Sequence, residues 1–236
     1  MKKESVLSGL MVLISLFSIS CCTLNITDSN ENLGLPAGIV IFTFDDGPNG
    51  HMDTTERLLD VLDKYNIKGV FCLLGINVLQ YPEIVRRMFN EGHTIVNHGF
   101  STKINYFMKD DEFRENIRLG ENAINEALGF ELYPKFFRPQ GGIYNKRKET
   151  IIKEEGYLIV PYTVKVMDAY TKPSGRDRLT RRIVNVVVKQ NGGIILLHDG
   201  LETHSWILEA VEEIIITLLD MGFILDEPYN LFELLR

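Results

Sequence analysis

Ile39-Val40-Ile41-Phe42-Thr43-Phe44-Asp45-Asp46-Gly47-Pro48 sets the reading of the whole chain. Its first six residues are almost wholly apolar, β-branched or aromatic. That is the pattern of a strand buried on both faces, as in a parallel sheet. The run stops at two adjacent carboxylates and a Gly-Pro turn. Neighbouring carboxylates at a buried strand end repel each other and are hard to desolvate. A cation beside them removes that cost, leaving one to bind a metal and the other free as a base. Solvated turn aspartates would account equally well for an isolated Asp-Asp pair, so the pair takes its meaning from what surrounds it.

Outward from this strand, short apolar runs alternate with amphipathic stretches. Further strands are expected at residues 69–74, 94–97, 136–138, 157–164, 194–197 and 223–225. Between them, Asp53 followed by Glu56 predicts an N-capped helix carrying Leu58, Val61, Leu62 and Tyr65. Pro82 opens a second helix that Gly92 stops. Residues 110–128, 146–155, 176–190 and 205–221 have helical periodicity, and Gly129 and Gly156 end two of them. Seven strand–helix units imply an α/β fold with a mainly parallel sheet, either a barrel or an open doubly wound sheet. The polar strand ends Asp45-Asp46, His98, Arg138, Asp168 and His198-Asp199 come from at least five strands. A barrel collects them on one rim, whereas a wide open sheet scatters them.

The 236 residues are 45% hydrophobic and 24% charged, which suits a globular domain. The net charge of −7 argues against unaided nucleic-acid binding and against docking on anionic lipid through a folded patch. Three cysteines cannot build a disulfide framework. Lys2 and Lys3 precede an apolar run from Val6 to Ile19, too short for a comfortable membrane span and matching a signal peptide. Small residues before Cys21 resemble a lipoprotein cleavage site, although Ser18 stands where leucine is usual. The expected organisation is a leader over 1–20, of lipoprotein type, a polar tether over 21–36 and a catalytic domain over 37–236. The protein is then exported, either anchored at the surface or in the periplasm by a lipid on Cys21, or secreted outright.

Taken singly, the remaining strand-end residues are ambiguous. A lone histidine such as His98 is more often structural than a ligand. Arg138 could be a surface ion-pair partner. His198 suits general-acid work near neutral pH. Together the blocks are specific. Thr43-Phe44-Asp45-Asp46-Gly47-Pro48, Asn97-His98, Arg138-Pro139-Gln140-Gly141-Gly142, Asp168 and Leu196-Leu197-His198-Asp199 resemble, in order, the signatures of NodB-type polysaccharide deacetylases, carbohydrate esterase family four. The resemblance covers roughly residues 37–230. It implies a distorted parallel (β/α) barrel of about seven units and a metal-dependent hydrolase. That enzyme releases acetate from N-acetyl groups of a peptidoglycan or chitin-like amino-sugar polymer. It implies Asp45 as base, His198 as acid, Arg138 orienting Asp45, Asp168 holding the His198 tautomer, and a backbone N–H near Gly141 for the oxyanion. Asp46 and His98 would ligate a divalent metal, zinc first, with cobalt or manganese as alternatives.

Three departures stand out. The family's second block is His-[Ser/Thr]-x-x-His, but here it reads His98-Gly99-Phe100-Ser101-Thr102, so Thr102 replaces the third ligand. A threonine hydroxyl is a poor zinc ligand. Water held by Thr102 could fill the position, or His51 or His204 could substitute; His93 looks structural. Alternatively catalysis is lost and the groove only binds glycan. The family's tryptophan after the fourth-block aspartate is Ala169, leaving Tyr170 or Trp206 as replacement walls, with Trp206 better explained as core. Gln140 stands where an aromatic is common.

Overall fold

The computed structural model describes residues 35–201, 205–225 and 235. The proposed leader, Cys21 and nearly all of the tether lie outside them, as does His204. Strand β1 (Ile39–Asp45) is followed by helix α1 (Thr54–Lys64), β2 (Val70–Leu73), α2 (Gly75–Gln80), α3 (Pro82–Asn90) and β3 (Thr94–Asn97). Then come α4 (Asp110–Leu128), β4 (Phe136–Phe137), α5 (Lys146–Glu154), β5 (Leu158–Ile159) and β6 (Val164–Lys165). Helix α6 (Arg176–Gln190), β7 (Gly193–His198), α7 (Ile207–Asp220) and β8 (Ile224–Leu225) complete the order.

Seven strands form one parallel path, β5-β4-β3-β2-β1-β7-β6, and β8 pairs with the start of β1. β5 and β6 are the two ends of that path, so the sheet is a curled half-barrel, as the distorted-barrel reading expects. On a flat sheet β1 and β4, three strands apart, would lie about 14 Å from each other. Arg138, directly after β4, nevertheless reaches Asp45 at the end of β1. The curl supplies the rest of the approach.

Strand alternation sorts the side chains. Val40, Phe42 and Phe44 face the helices, with Leu58, Leu62, Ile195, Leu197, Ile214 and Ile215. Ile41 turns the other way, with Val70, Cys72, Val96 and Ile194, into the barrel interior. By the same period Thr43 and Asp45 point inward above Ile41, and Leu196 and His198 point inward above Ile194.

Two sequence expectations need correction. The fifth strand is not continuous over 157–164: it splits into β5 and β6, giving eight strands. Pro161 has no N–H to give a ladder. The Val160 and Pro161 carbonyls turn instead to Arg138, accepting from Nε at 3.3 Å and Nη2 at 2.8 Å. Asp53 does not cap α1; it sits at φ 53° with no side-chain cap bond. Asn49 and Thr55 organise that turn, with Asn49 N–H donating to Thr55 Oγ1 at 2.8 Å and His51 N–H to Asn49 Oδ1 at 2.9 Å. Helix α2 was not anticipated, being too short to show a period. The other helices start and stop as expected: Pro82 is at the first turn of α3, and Gly129 ends α4 at φ 81°. No helix among the described residues is long and apolar enough to cross a membrane.

Candidate active site

The interior-facing strand ends open into a groove of about 530 Å³. Asp45, Asp46, His98, Thr102, Gly141, Asp168 and His198 all line it. Arg138 lies behind Asp45, only 1% exposed. The structure thus brings together the base, acid, cation and oxyanion candidates named from the sequence. His51 sits exposed in a one-turn 3₁₀ helix and does not line the groove; His204 lies outside the described residues.

Arg138 Nη1 donates to Asp45 Oδ1 at 2.6 Å and to Thr43 Oγ1 at 2.7 Å. Thr43 in turn donates to the Ile195 carbonyl at 2.7 Å. The guanidinium is therefore fixed on four sides, by Thr43, Asp45, Val160 and Pro161. Burial on its own would raise the Asp45 pKa. The charges of Arg138, His98 and His198 and the Arg138 hydrogen bond together outweigh it, and keep Asp45 below the ordinary carboxylate range. Asp45 is thus an anion at neutral pH.

His98 Nδ1 lies 2.7 Å from the Arg138 carbonyl. A carbonyl only accepts, so that nitrogen carries a proton and donates. Nε2 faces the carboxylates, 3.5 Å from Asp46 Oδ1 and 3.6 Å from Asp45 Oδ2. An Nε2 facing two carboxylates is favourable only if that nitrogen carries a proton or a cation stands among the three groups. One imidazole and one carboxylate also suit a zinc-like ion chemically. The residues therefore fit a divalent cation, with Asp46 and His98 as the strong donors among the described residues. No cluster of three or more His, Cys, Asp or Glu suited to a metal occurs among the described residues. Residues 100–103 form bends rather than a helix, yet they bring Thr102 to the same groove.

On the other wall, His198 Nδ1 donates to Asp168 Oδ1 at 2.9 Å, and His198 N–H to Asp168 Oδ2 at 2.7 Å. Asp168 lies not on β6 but three residues beyond it, in a 3₁₀ turn, fully buried. Burial disfavours the imidazolium, but the Asp168 hydrogen bond and charge prevail and raise the His198 pKa to about 9. Nδ1 is committed to Asp168, so Nε2 is the ring nitrogen left for the groove that His198 lines. Gly141 sits in a tight turn at φ 70°, a conformation natural to glycine.

A polysaccharide deacetylase family model matches residues 33–160. The chain belongs to the polysaccharide deacetylase family. The family match ends before Asp168 and His198. Among relatives, a peptidoglycan-N-acetylglucosamine deacetylase of Bacillus cereus is 33% identical over 184 residues, 78% of this chain and 64% of that protein. The peptidoglycan-N-acetylmuramic acid deacetylase PdaC of Bacillus subtilis is 32% identical over 187 residues, 78% of this chain but 37% of that protein. The chain thus spans less than two thirds of either relative. The crystal structure of a peptidoglycan N-acetylglucosamine deacetylase superposes with TM-score 0.67 at 32% identity, covering 79% of this chain and 84% of that one.

Within this family member, several positioning side chains escaped the sequence reading. Thr43 was a visible signal, a hydroxyl inside an apolar strand. Asn77 Nδ2 donates to the Asp46 carbonyl at 2.7 Å and helps hold that residue at φ 71°. Thr55 donates to Asp199 Oδ2 at 2.6 Å behind the turn, where burial pushes the Asp199 pKa up to about 7. Asn105 and Gln140 join the Thr102 loop to the Gly141 turn, with Gln140 N–H donating to Asn105 Oδ1 at 2.7 Å. Trp206 is core, 7% exposed, and His93 is structural, accepting from Gly69 N–H at 3.0 Å. Tyr170 lines the groove rim at 82% exposure.

Proposed function

We propose that this chain is a metal-dependent deacetylase that hydrolyses N-acetyl groups of an amino-sugar polymer, peptidoglycan first. One observation carries the reading. An ionised carboxylate clamped by a buried arginine faces the same groove as a protonated histidine clamped by a buried aspartate, with Asp46 and His98 in that groove too. Asp45 takes a proton from the attacking water, whose oxygen bonds to the acetyl carbon. His198 gives a proton to the sugar nitrogen as the C–N bond breaks. Acetate and a free amine leave. Arg138 keeps Asp45 ionised and aimed, and Asp168 keeps His198 protonated and aimed. The Gly141 turn offers backbone N–H to the developing oxyanion. Asp46 and His98 would hold the cation, with water on the Thr102 side, and a bound cation polarises the acetamido carbonyl. Zinc is our assignment, with cobalt and manganese as the ions to compare.

The leader over 1–20 and Cys21 fit export, with a lipid anchor on Cys21 if it is acylated. The catalytic domain would then be residues 37–236.

Acetate release from acetylated glucosamine oligomers and from peptidoglycan, with zinc, cobalt or manganese supplied, tests the activity. Asp45→Asn is expected to lose at least a hundredfold in kcat while still binding metal. Folded protein that releases no acetate with any of these ions would make the groove a glycan-binding surface.

A further inference from the structure

Lys165 is the cation of this groove that the chemistry above does not use. On β6 it stands between Val164 and Val166, both buried with the helix-facing cluster. Alternation therefore turns Lys165 inward, and it is paired with Leu196 of β7 and lines the groove. Its Nζ donates to the Tyr162 hydroxyl at 3.3 Å and stands 5.2 Å from that ring's centroid. The Tyr162 hydroxyl abuts Gly142, where a Cβ would come within 2.2 Å of it. The ammonium thus sits beside the turn that carries Gly141. No carboxylate lies within 4.0 Å of it among the described residues, whereas Arg138 is committed to Asp45.

We propose that Lys165 reads a carboxylate on the sugar substrate, so that the groove prefers an amino sugar bearing an acidic substituent next to its acetamido group. The inference rests on the deacetylase reading above. N-acetylmuramic acid has this chemistry, since its lactyl ether on C3 neighbours the acetamido on C2. A neutral N-acetylglucosamine oligomer does not. In a chain of net charge −7, with Asp45, Asp46 and Asp168 around the groove, an ammonium with no carboxylate partner gives an anion a favourable landing point on that wall. An inward lysine on an end strand also discourages strand addition. That role is indifferent to substrate charge, which the experiment exploits.

The test compares kcat/KM for acetate release from a glucosamine–muramic acid disaccharide in three forms: free lactyl carboxylate, carboxamide, and a stem dipeptide attached through the lactyl group. The wild type is expected to favour the free carboxylate over the carboxamide by roughly twofold to fivefold, the scale of one solvent-exposed ion pair. Lys165→Met should remove that preference, Lys165→Arg should keep most of it, and rising salt should shrink it. If the peptide form matches the free acid, a peptide carboxylate is read as well as the sugar's own; if it matches the carboxamide, the sugar's carboxylate alone is read. Equal rates for acid and carboxamide in the wild type, or an undiminished preference in Lys165→Met, would overturn the proposal. Should no form release acetate, the deacetylase reading fails. Calorimetric binding of the same acid and carboxamide to wild type and Lys165→Met then decides the role of Lys165, by the same ratios.

Discussion

Two residues carry the sharpest expectations about chemistry. His198 must be protonated to donate, and Asp168 holds its pKa at about 9. Activity is therefore expected to fall as pH rises through that value. Asp168→Asn removes both the charge and the best acceptor, so the alkaline limb should move down by a unit or more. A pH profile of kcat/KM checks this; an unmoved limb would detach His198 from the proton transfer. Thr102 marks the weak side of the cation site. Thr102→His adds an imidazole where a hydroxyl lines the groove, and zinc affinity by calorimetry is expected to rise at least tenfold. Unchanged affinity would mean that another side chain already completes the shell. The identities of Asp45, Asp46, His98, Arg138 and His198 were legible because each follows an apolar run. Thr43 and Lys165 were not singled out, because a hydroxyl or an ammonium takes its meaning from what curls against it.

Among the elements, α4 does most to place His98. Asn97 Nδ2 donates to the Ile117 carbonyl at 2.8 Å, and Asn116 Oδ1 accepts from Phe100 N–H at 3.0 Å. These bonds need α4 close to the chain leaving β3, and Gly120 permits that. A Cβ there would lie 2.4 Å from Asn97 Oδ1 and 3.0 Å from the Gly99 carbonyl group. Gly120→Ala is expected to force the helix off this loop, costing about 1–3 kcal/mol in urea unfolding. The same displacement should weaken zinc binding through His98. A variant as stable as the wild type would show that the helix has room to spare. The helical period of 110–128 was plain in sequence, but its glycine gave no hint of what it touches. The break between β5 and β6 was hidden in the same way, since the Val160 and Pro161 carbonyls turn to an arginine more than twenty residues earlier.

For the whole molecule, stability should carry the signature of His93. It is buried at 5% exposure, and burial, aided by Lys68, depresses its pKa from 6.5 to about 4. The unfolded chain therefore binds the extra proton between those values, and stability is lost as pH falls from 6.5 towards 4. Relative to His93→Gln, the wild type is expected to lose about 3 kcal/mol across that window by urea unfolding at each pH. Parallel curves for the two proteins would place the acid sensitivity elsewhere. The sequence by itself determined the alternation of strands and helices apart from α2 and the β5–β6 break, the buried face of β1 and the polar residues at the strand ends. Those follow from periodicity and from the burial it encodes. Only the tertiary structure decided that the sheet curls far enough for Arg138 to clamp Asp45, that His51 stays out of the groove, and that Lys165 turns into it. Distances between strand ends depend on the curvature of the sheet, which is a sum over all its pairings and is written in no single stretch of chain.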